Sequence, residues 1–373
     1  TYISVSDSGS GAEALYMKAP GNSYYSNVGT STTVSSTATN GLYYFYAKDK
    51  AGNTSSTYYL YLDTTTPTGT IKNSSGTAIS GYTNGAFSYT ATDTGSGVSY
   101  LQYKKPGSSS WLSYTSGTTI ASTATNGQYQ FRAVDKAGNV SDTKTIYLDS
   151  AAPTGTIKNS SGTAISGYTG GAFSYTATDT GSGVSYLQYK TPGSSSWTTY
   201  SSGTTISASA TNGLYQFRAV DNAGNTSAVS SIYLDTAIPT GKITDSNGTT
   251  VTTTTNKAFK YTASDGLSGI AYMQYKKPNS TVWETYAAGT LIQTTDTNGI
   301  YRFRAFDNAG NESETVMICL DTVKPTGTLY GGTSTVASGG KTNANYVKFV
   351  PSDSMSGIKS IYVQTPSSSG YES

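Results

Sequence analysis

Along residues 68–153, apolar and polar side chains alternate in short runs, and each run stops at a cluster of turn residues. The runs are TGTIKN (68–73), AFSYTATD (86–93), VSYLQYKK (98–105), WLSYTS (111–116), TTIASTA (118–124), QYQFRAVD (128–135) and TKTIYLD (143–149). A period of two sends successive side chains to opposite faces, so each run predicts a strand with one buried face. The breaks hold GSG, PGSSS, TNG and KAGN, residues that turn the chain. No run keeps a helical period. Seven short strands predict an all-β fold, a seven-stranded antiparallel sandwich of two sheets.

The pattern repeats. Pro67, Pro153, Pro239 and Pro325 stand 86 residues apart, as do Asn53, Asn139, Asn225 and Asn311 of the AGN motif. The chain therefore reads as a tandem array with repeats at 68–153, 154–239 and 240–325. Residues 1–67 form a repeat lacking its first strand, and 326–373 form a partial one. The second and third repeats are nearly identical, which points to recent duplication. Thr1 falls at the position of Phe87 and Tyr371 at that of Trp111, so the expectation is a window on a longer protein. A rarer reading has another molecule supplying the first strand of 1–67, as in donor-strand filaments.

Comparison among repeats identifies the inward face. Leu101 and Tyr103 correspond to Leu15 and Met17, to Met273 and Tyr275, and to Ile361 and Val363. Ile146 and Leu148 correspond to Leu60 and Leu62, Ile232 and Leu234, and Ile318 and Leu320. Each alternate pair is expected in the core. In NGQYQF (126–131) a Tyr follows an Asn-Gly turn and stands two residues before a core aromatic. Immunoglobulin domains carry a tyrosine corner there, and Phe131 holds the place of their Cys. On these motifs, with A-x-D-x-A-G-N and L-D-T-x-x-P, the whole chain resembles bacterial immunoglobulin-like (BIg-type) repeats of large cell-surface adhesins and fibre proteins. The resemblance implies an extracellular or cell-surface location and a structural or adhesive role.

Composition narrows the partners. Only 12% of residues are charged, with 33 Tyr and 41 Gly, which suits exposed β-structure rich in turns rather than disorder. The net charge of +2 is spread without a basic stripe, which argues against nucleic acid. No apolar run is long enough to span a membrane. The chain has no His, which removes the usual general base and zinc ligand, and Cys319 stands alone. No P-loop, GxSxG or zinc cluster is present, and the expectation is a non-enzyme.

The recurrent acids remain. If strands alternate in direction, the second and sixth end at the pole where the preceding repeat enters. That groups Asp63, Asp93 and Asp135; Asp149, Asp179 and Asp221; and Asp235, Asp265 and Asp307. Asp7 with Asp49, and Asp321 with Asp353, form incomplete sets. Three adjacent carboxylates repel unless neutralised, and calcium takes six to eight oxygen ligands. The adhesin resemblance also implies calcium at domain junctions. The other reading is turn capping, with Asp135 accepting from the AGN backbone and Asp93 from the TGSG turn. Both readings stand on sequence alone.

Further features carry less. Trp111, Trp197 and Trp283 read as packing at the sandwich edge or as sugar platforms. Outward tyrosines such as Tyr147 and Tyr233 suit a solvated sheet singly, and lateral contacts as a set. Sequons at Asn53, Asn73, Asn139, Asn159, Asn225, Asn247, Asn279 and Asn311 carry no weight, and Lys72 and Lys158 lack the buried acid that isopeptide chemistry needs. The expected role is a structural segment of an extracellular fibre, stalk or filament. Its partners are neighbouring repeats and, in a filament, other copies of itself. The alternative is an adhesin module binding glycans or a host protein through Tyr and Trp.

Overall fold

The computed structural model describes residues 1–364, in which all regular structure is β-strand. The chain is a tandem series of immunoglobulin-type β-sandwich domains. It divides into two compact units. One holds Thr1–Gly155, Ala177–Leu187 and Arg218–Ala228; the other holds Thr156–Thr176, Gln188–Phe217 and the chain from Val229 onward.

In the second repeat, Thr68–Asn73 pairs antiparallel with Phe87–Thr92, placing Ile71 opposite Tyr89. A five-stranded sheet faces this pair, in the order Leu112–Tyr114, Val98–Lys104, Gly127–Asp135, Lys144–Leu148, Gly81–Thr83. The fourth repeat has the same two sheets, with Thr240–Asp245 on Phe259–Ser264 in the smaller. The third repeat matches the second strand for strand in length, from Thr154–Asn159 to Ser230–Leu234.

Two details depart from the sequence expectation. The strand expected at 118–124 is reduced to a single bridge between Phe87 and Ile120. The Tyr114 hydroxyl donates to the Thr118 carbonyl, and Ala124 N closes a turn on Ala121 O, so the segment's polar groups are already engaged. Conversely, Gly81–Thr83 forms a strand that the pattern did not announce. It runs parallel to Lys144–Leu148, with Tyr82 opposite Tyr147. The sandwich is therefore not wholly antiparallel.

The core is aromatic. Phe131 is fully buried and stacks on Tyr89 at 5.0 Å, while Tyr114 meets it edge-on at 5.2 Å. Such offset and edge-on pairs add to the stabilisation from area burial. A Cβ on Gly69 would lie 1.8 Å from the Tyr89 hydroxyl, so only glycine lets the first strand cross that ring. Ile146, Leu148, Ile318 and Leu320 are buried as the alternation requires. The tyrosine corner is present: Tyr129 donates to Thr125 O at 3.0 Å, and Tyr43, Tyr215 and Tyr301 do the same four residues back.

In 1–67 the sheet is Ser26–Asn27, Ala12–Lys18, Gly41–Asp49, Tyr58–Leu62, with Tyr2–Ser4 paired separately to Ser31–Thr33. In 326–364 a three-stranded sheet forms from Ser334–Val336, Thr326–Gly331 and Val347–Ser352. Ile361 and Val363, expected in the core, are 41% and 56% exposed. Among the described residues, no second sheet of that partial repeat covers them. Tyr371 lies outside the described residues.

Candidate junction site

Each acid triad is assembled from three local devices. Asp63 follows Tyr58–Leu62 and stands in the link to the next repeat. Its Oδ1 accepts from Thr65 N at 3.0 Å, and its Oδ2 from Ser96 N at 2.6 Å. Asp93 caps the loop after Phe87–Thr92 and accepts from Gly95 N at 3.0 Å and Gly97 N at 2.7 Å through Oδ2. Asp135 ends Gly127–Asp135 and accepts from Asn139 N at 2.8 Å and from Asn139 Nδ2 at 2.7 Å. Gly138, with φ at +95°, supplies the left-handed step that this turn needs.

The three sequence-derived groupings are met in space. In Asp63–Asp93–Asp135, Asp149–Asp179–Asp221 and Asp235–Asp265–Asp307, one carboxylate oxygen from each residue lies within 4.8 Å of the others. The linker and AGN-turn members are nearly inaccessible, Asp149 and Asp235 at 0% exposure and Asp135, Asp221 and Asp307 at 2%. The incomplete sets behave alike. Asp7 accepts from Gly11 N, and Asp321 from Ser356 N, in the same manner.

Sequence reasoning missed the residue that ties the triad together. Asn139 Nδ2 donates to the carbonyl of Asp63 at 2.9 Å as well as to Asp135. Asn225 repeats both bonds, to the Asp149 carbonyl and the Asp221 carboxylate, and Asn311 to the Asp235 carbonyl and the Asp307 carboxylate. The AGN asparagine thus latches the turn to the incoming linker. Its recurrence at the same period was the available signal, but it read as turn chemistry alone.

Charge is not balanced locally. Among the described residues the ion pairs are Lys48–Glu13, Lys277–Glu284 and Arg304–Glu312, and no triad member takes part. Asp93 Oδ1 is buried with no hydrogen-bond partner. Burial acts to raise the Asp63 carboxyl, but the N–H and hydroxyl of Ser96 and Thr65 outweigh it and hold the carboxyl below 3.8. Burial and the Ser182 donors set Asp149 in the same way, and burial and the loop N–H groups set Asp265. A carboxylate with a lowered folded pKa stabilises the fold above its unfolded value, and that contribution disappears as pH falls through the folded value. The contribution of these groups to the urea midpoint is therefore expected to be fully present at neutral pH and to be lost progressively on acidification past the ordinary carboxylate value. An Asp149→Asn variant should lose less in that acid range than the parent chain.

The tryptophans are engaged. Arg132 Cζ sits 4.2 Å and Lys104 Nζ 4.8 Å from the Trp111 ring, and Arg304 and Lys276 repeat this on Trp283. Cations stacked on these rings compete with any sugar for them.

Fold and site together define a tandem immunoglobulin-like repeat protein with an acid triad where one repeat leads into the next. No family model and no curated protein matches the sequence. Among solved structures, the bacterial integrin-binding protein invasin aligns at 14% identity over 90% of this chain and 78% of its own, with a TM-score of 0.26. Chicken CNTN1 FN1–FN3 domains align at 17% identity over 67% and 97%, with a TM-score of 0.23. The fibronectin(III)-like modules of Clostridium thermocellum CbhA align at 17% identity over 44% and 92%, also with a TM-score of 0.23.

Proposed function

We propose that this chain is a structural segment of an extracellular fibre, stalk or filament at a cell surface. Its domains are the repeats 68–153, 154–239 and 240–325, flanked by 1–67 and 326–373, and calcium ties each repeat to the next. The observation that carries the reading is the threefold recurrence of an acid triad, two members buried and the third half-buried, that has no ion-paired basic partner among the described residues. An all-oxygen donor set without His or Cys suits a hard cation. Three protein carboxylates at one point favour calcium over magnesium, which keeps most of its waters. Asp63, Asp93 and Asp135 would hold one ion, Asp149, Asp179 and Asp221 a second, and Asp235, Asp265 and Asp307 a third. When bound, calcium supplies the positive charge that lets three carboxylates share one site. The protein's own part is to fix the carboxylates with backbone N–H donors and to latch the linker through Asn139, Asn225 and Asn311.

The resemblance to bacterial surface adhesins supports the extracellular placement. The repetition of the site along the chain supports architecture rather than catalysis. Equilibrium dialysis of the whole chain against calcium tests the reading. Close to one ion per triad is expected, and Asp149→Asn with Asp221→Asn should remove one ion from the total. Binding that is unaltered by those substitutions would overturn the assignment.

A further inference from the structure

In the first three repeats the outer face of the larger sheet is built from flat, uncharged or cationic side chains; in the fourth, Arg304 on that face is paired with Glu312. In 1–67 the face is paved with tyrosine. Tyr16 lies opposite Tyr46 on the neighbouring strand, and the two rings stack at 4.9 Å. Tyr25 meets Tyr46 edge-on at 4.9 Å, and Lys18 Nζ sits 4.5 Å from the Tyr44 ring. Tyr44 in turn lies opposite Tyr59, which is 76% exposed. Burying part of these rings against one another does not account for so much aromatic surface left in water, and contiguous exposed patches of this kind mark interaction sites.

The corresponding positions one period on carry a related set. Tyr100, Gln102, Lys104, Gln130, Arg132 and Tyr147 occupy that face in the second repeat, and the third repeat has the same residue types at the same places. Arg132 Nε donates to Gln102 Oε1 at 2.8 Å, which holds its plane against the sheet. No Asp or Glu stands at these alternating positions in any of the three repeats. At the edge of the first, Glu13 lies 3.9 Å from Lys48.

The chemistry selects the occupant. Aromatic faces are electron-rich and pack against the C–H surface of a sugar ring, while Tyr hydroxyls and Gln amides meet its hydroxyls. Lys and Arg on a face free of carboxylates draw an anion, and Arg pairs a carboxylate with both arms of its fork. A second copy presenting the same face would set Lys and Arg against Lys and Arg, which charge opposes. We propose that this face docks an acidic polysaccharide bearing uronate carboxylates.

The test is affinity electrophoresis of the whole chain in EDTA, through gels containing polygalacturonate or neutral dextran. EDTA removes calcium, so the outcome is independent of the junction sites. Retardation by the polyuronate and not by dextran is expected. Tyr59→Ser with Tyr61→Ser, alternate exposed residues on one face of Tyr58–Leu62, should weaken it, and so should Lys104→Gln with Arg132→Gln, with urea midpoints unchanged for the exposed tyrosine pair. No retardation overturns the proposal. Retardation that ignores all four substitutions also overturns it, because non-specific charge attraction would then suffice. Self-association seen by light scattering that needs the tyrosines, without retardation by polyuronate, assigns the face to a second copy instead.

Discussion

Calcium added to the metal-free chain is expected to raise its melting temperature by roughly 10–20 °C. Extracellular calcium modules bind with dissociation constants of about 10⁻⁴ to 10⁻³ M. At a hundredfold excess over that constant, one site stabilises the folded state by about 2.7 kcal/mol. For a domain of this size each kcal/mol moves the midpoint by about 4–8 °C. The sign follows from the site. Asp149 and Asp235 are fully buried beside two further carboxylates each, so folding without a cation gathers like charges away from water. A divalent ion removes that repulsion only in the folded state, because the three acids lie far apart in sequence. Magnesium at equal concentration should act more weakly, and the Asp149→Asn, Asp221→Asn chain should show a smaller rise. Identical melting curves in EDTA and in calcium would sink the junction reading.

Phe131→Ala is expected to cost about 3–5 kcal/mol, enough to unfold the second repeat in mild urea. Phe131 is inaccessible and touches four other rings, with Tyr89, Tyr103, Tyr114 and Phe87 at centroid distances of 5.0, 6.1, 5.2 and 6.2 Å. Truncation leaves a cavity whose aromatic walls are pinned elsewhere. Tyr114 is fixed by its bond to Thr118 O and by accepting from Tyr89 N, so it cannot swing in to fill the void. The repeats provide their own reporter, since Trp111, Trp197 and Trp283 stand one to a repeat. With Trp197 and Trp283 changed to Phe, Trp111 fluorescence follows the second repeat by itself. A midpoint unchanged by Phe131→Ala would mean that the ring cluster is not what holds that sandwich together.

Much of this was legible because repetition substitutes for comparison between relatives. The alternation at Ile146 and Leu148 and the three aspartate groupings followed from period and strand parity, and the Tyr129 corner from the likeness to immunoglobulin domains. What escaped was decided by side chains competing for backbone partners. Nothing in TTIASTA warns that the Tyr114 hydroxyl will take the Thr118 carbonyl and leave Ile120 as a lone bridge. GYT at 81–83 is too short to show an alternation, and its partner lies more than sixty residues away, at 146–148. The tyrosine face of 1–67 was visible as composition, but its stacking depends on cross-strand register that no local pattern gives. The Asn139 latch was hidden for a similar reason, since one amide serves both its own turn and a carbonyl 76 residues distant.

The parallel pairing of Gly81–Thr83 with Ile146–Leu148 has a mechanical consequence. Tension on a repeat pulls its first strands toward one end and its last strand toward the other. Antiparallel hairpins loaded at one end open a bond at a time. Two parallel strands drawn in opposite directions must break their bonds together, in shear. The short strand that the sequence did not announce is therefore a clamp loaded in shear, and in the repeats that have it, 68–153, 154–239 and 240–325, the yield force should be set there rather than in the aromatic core.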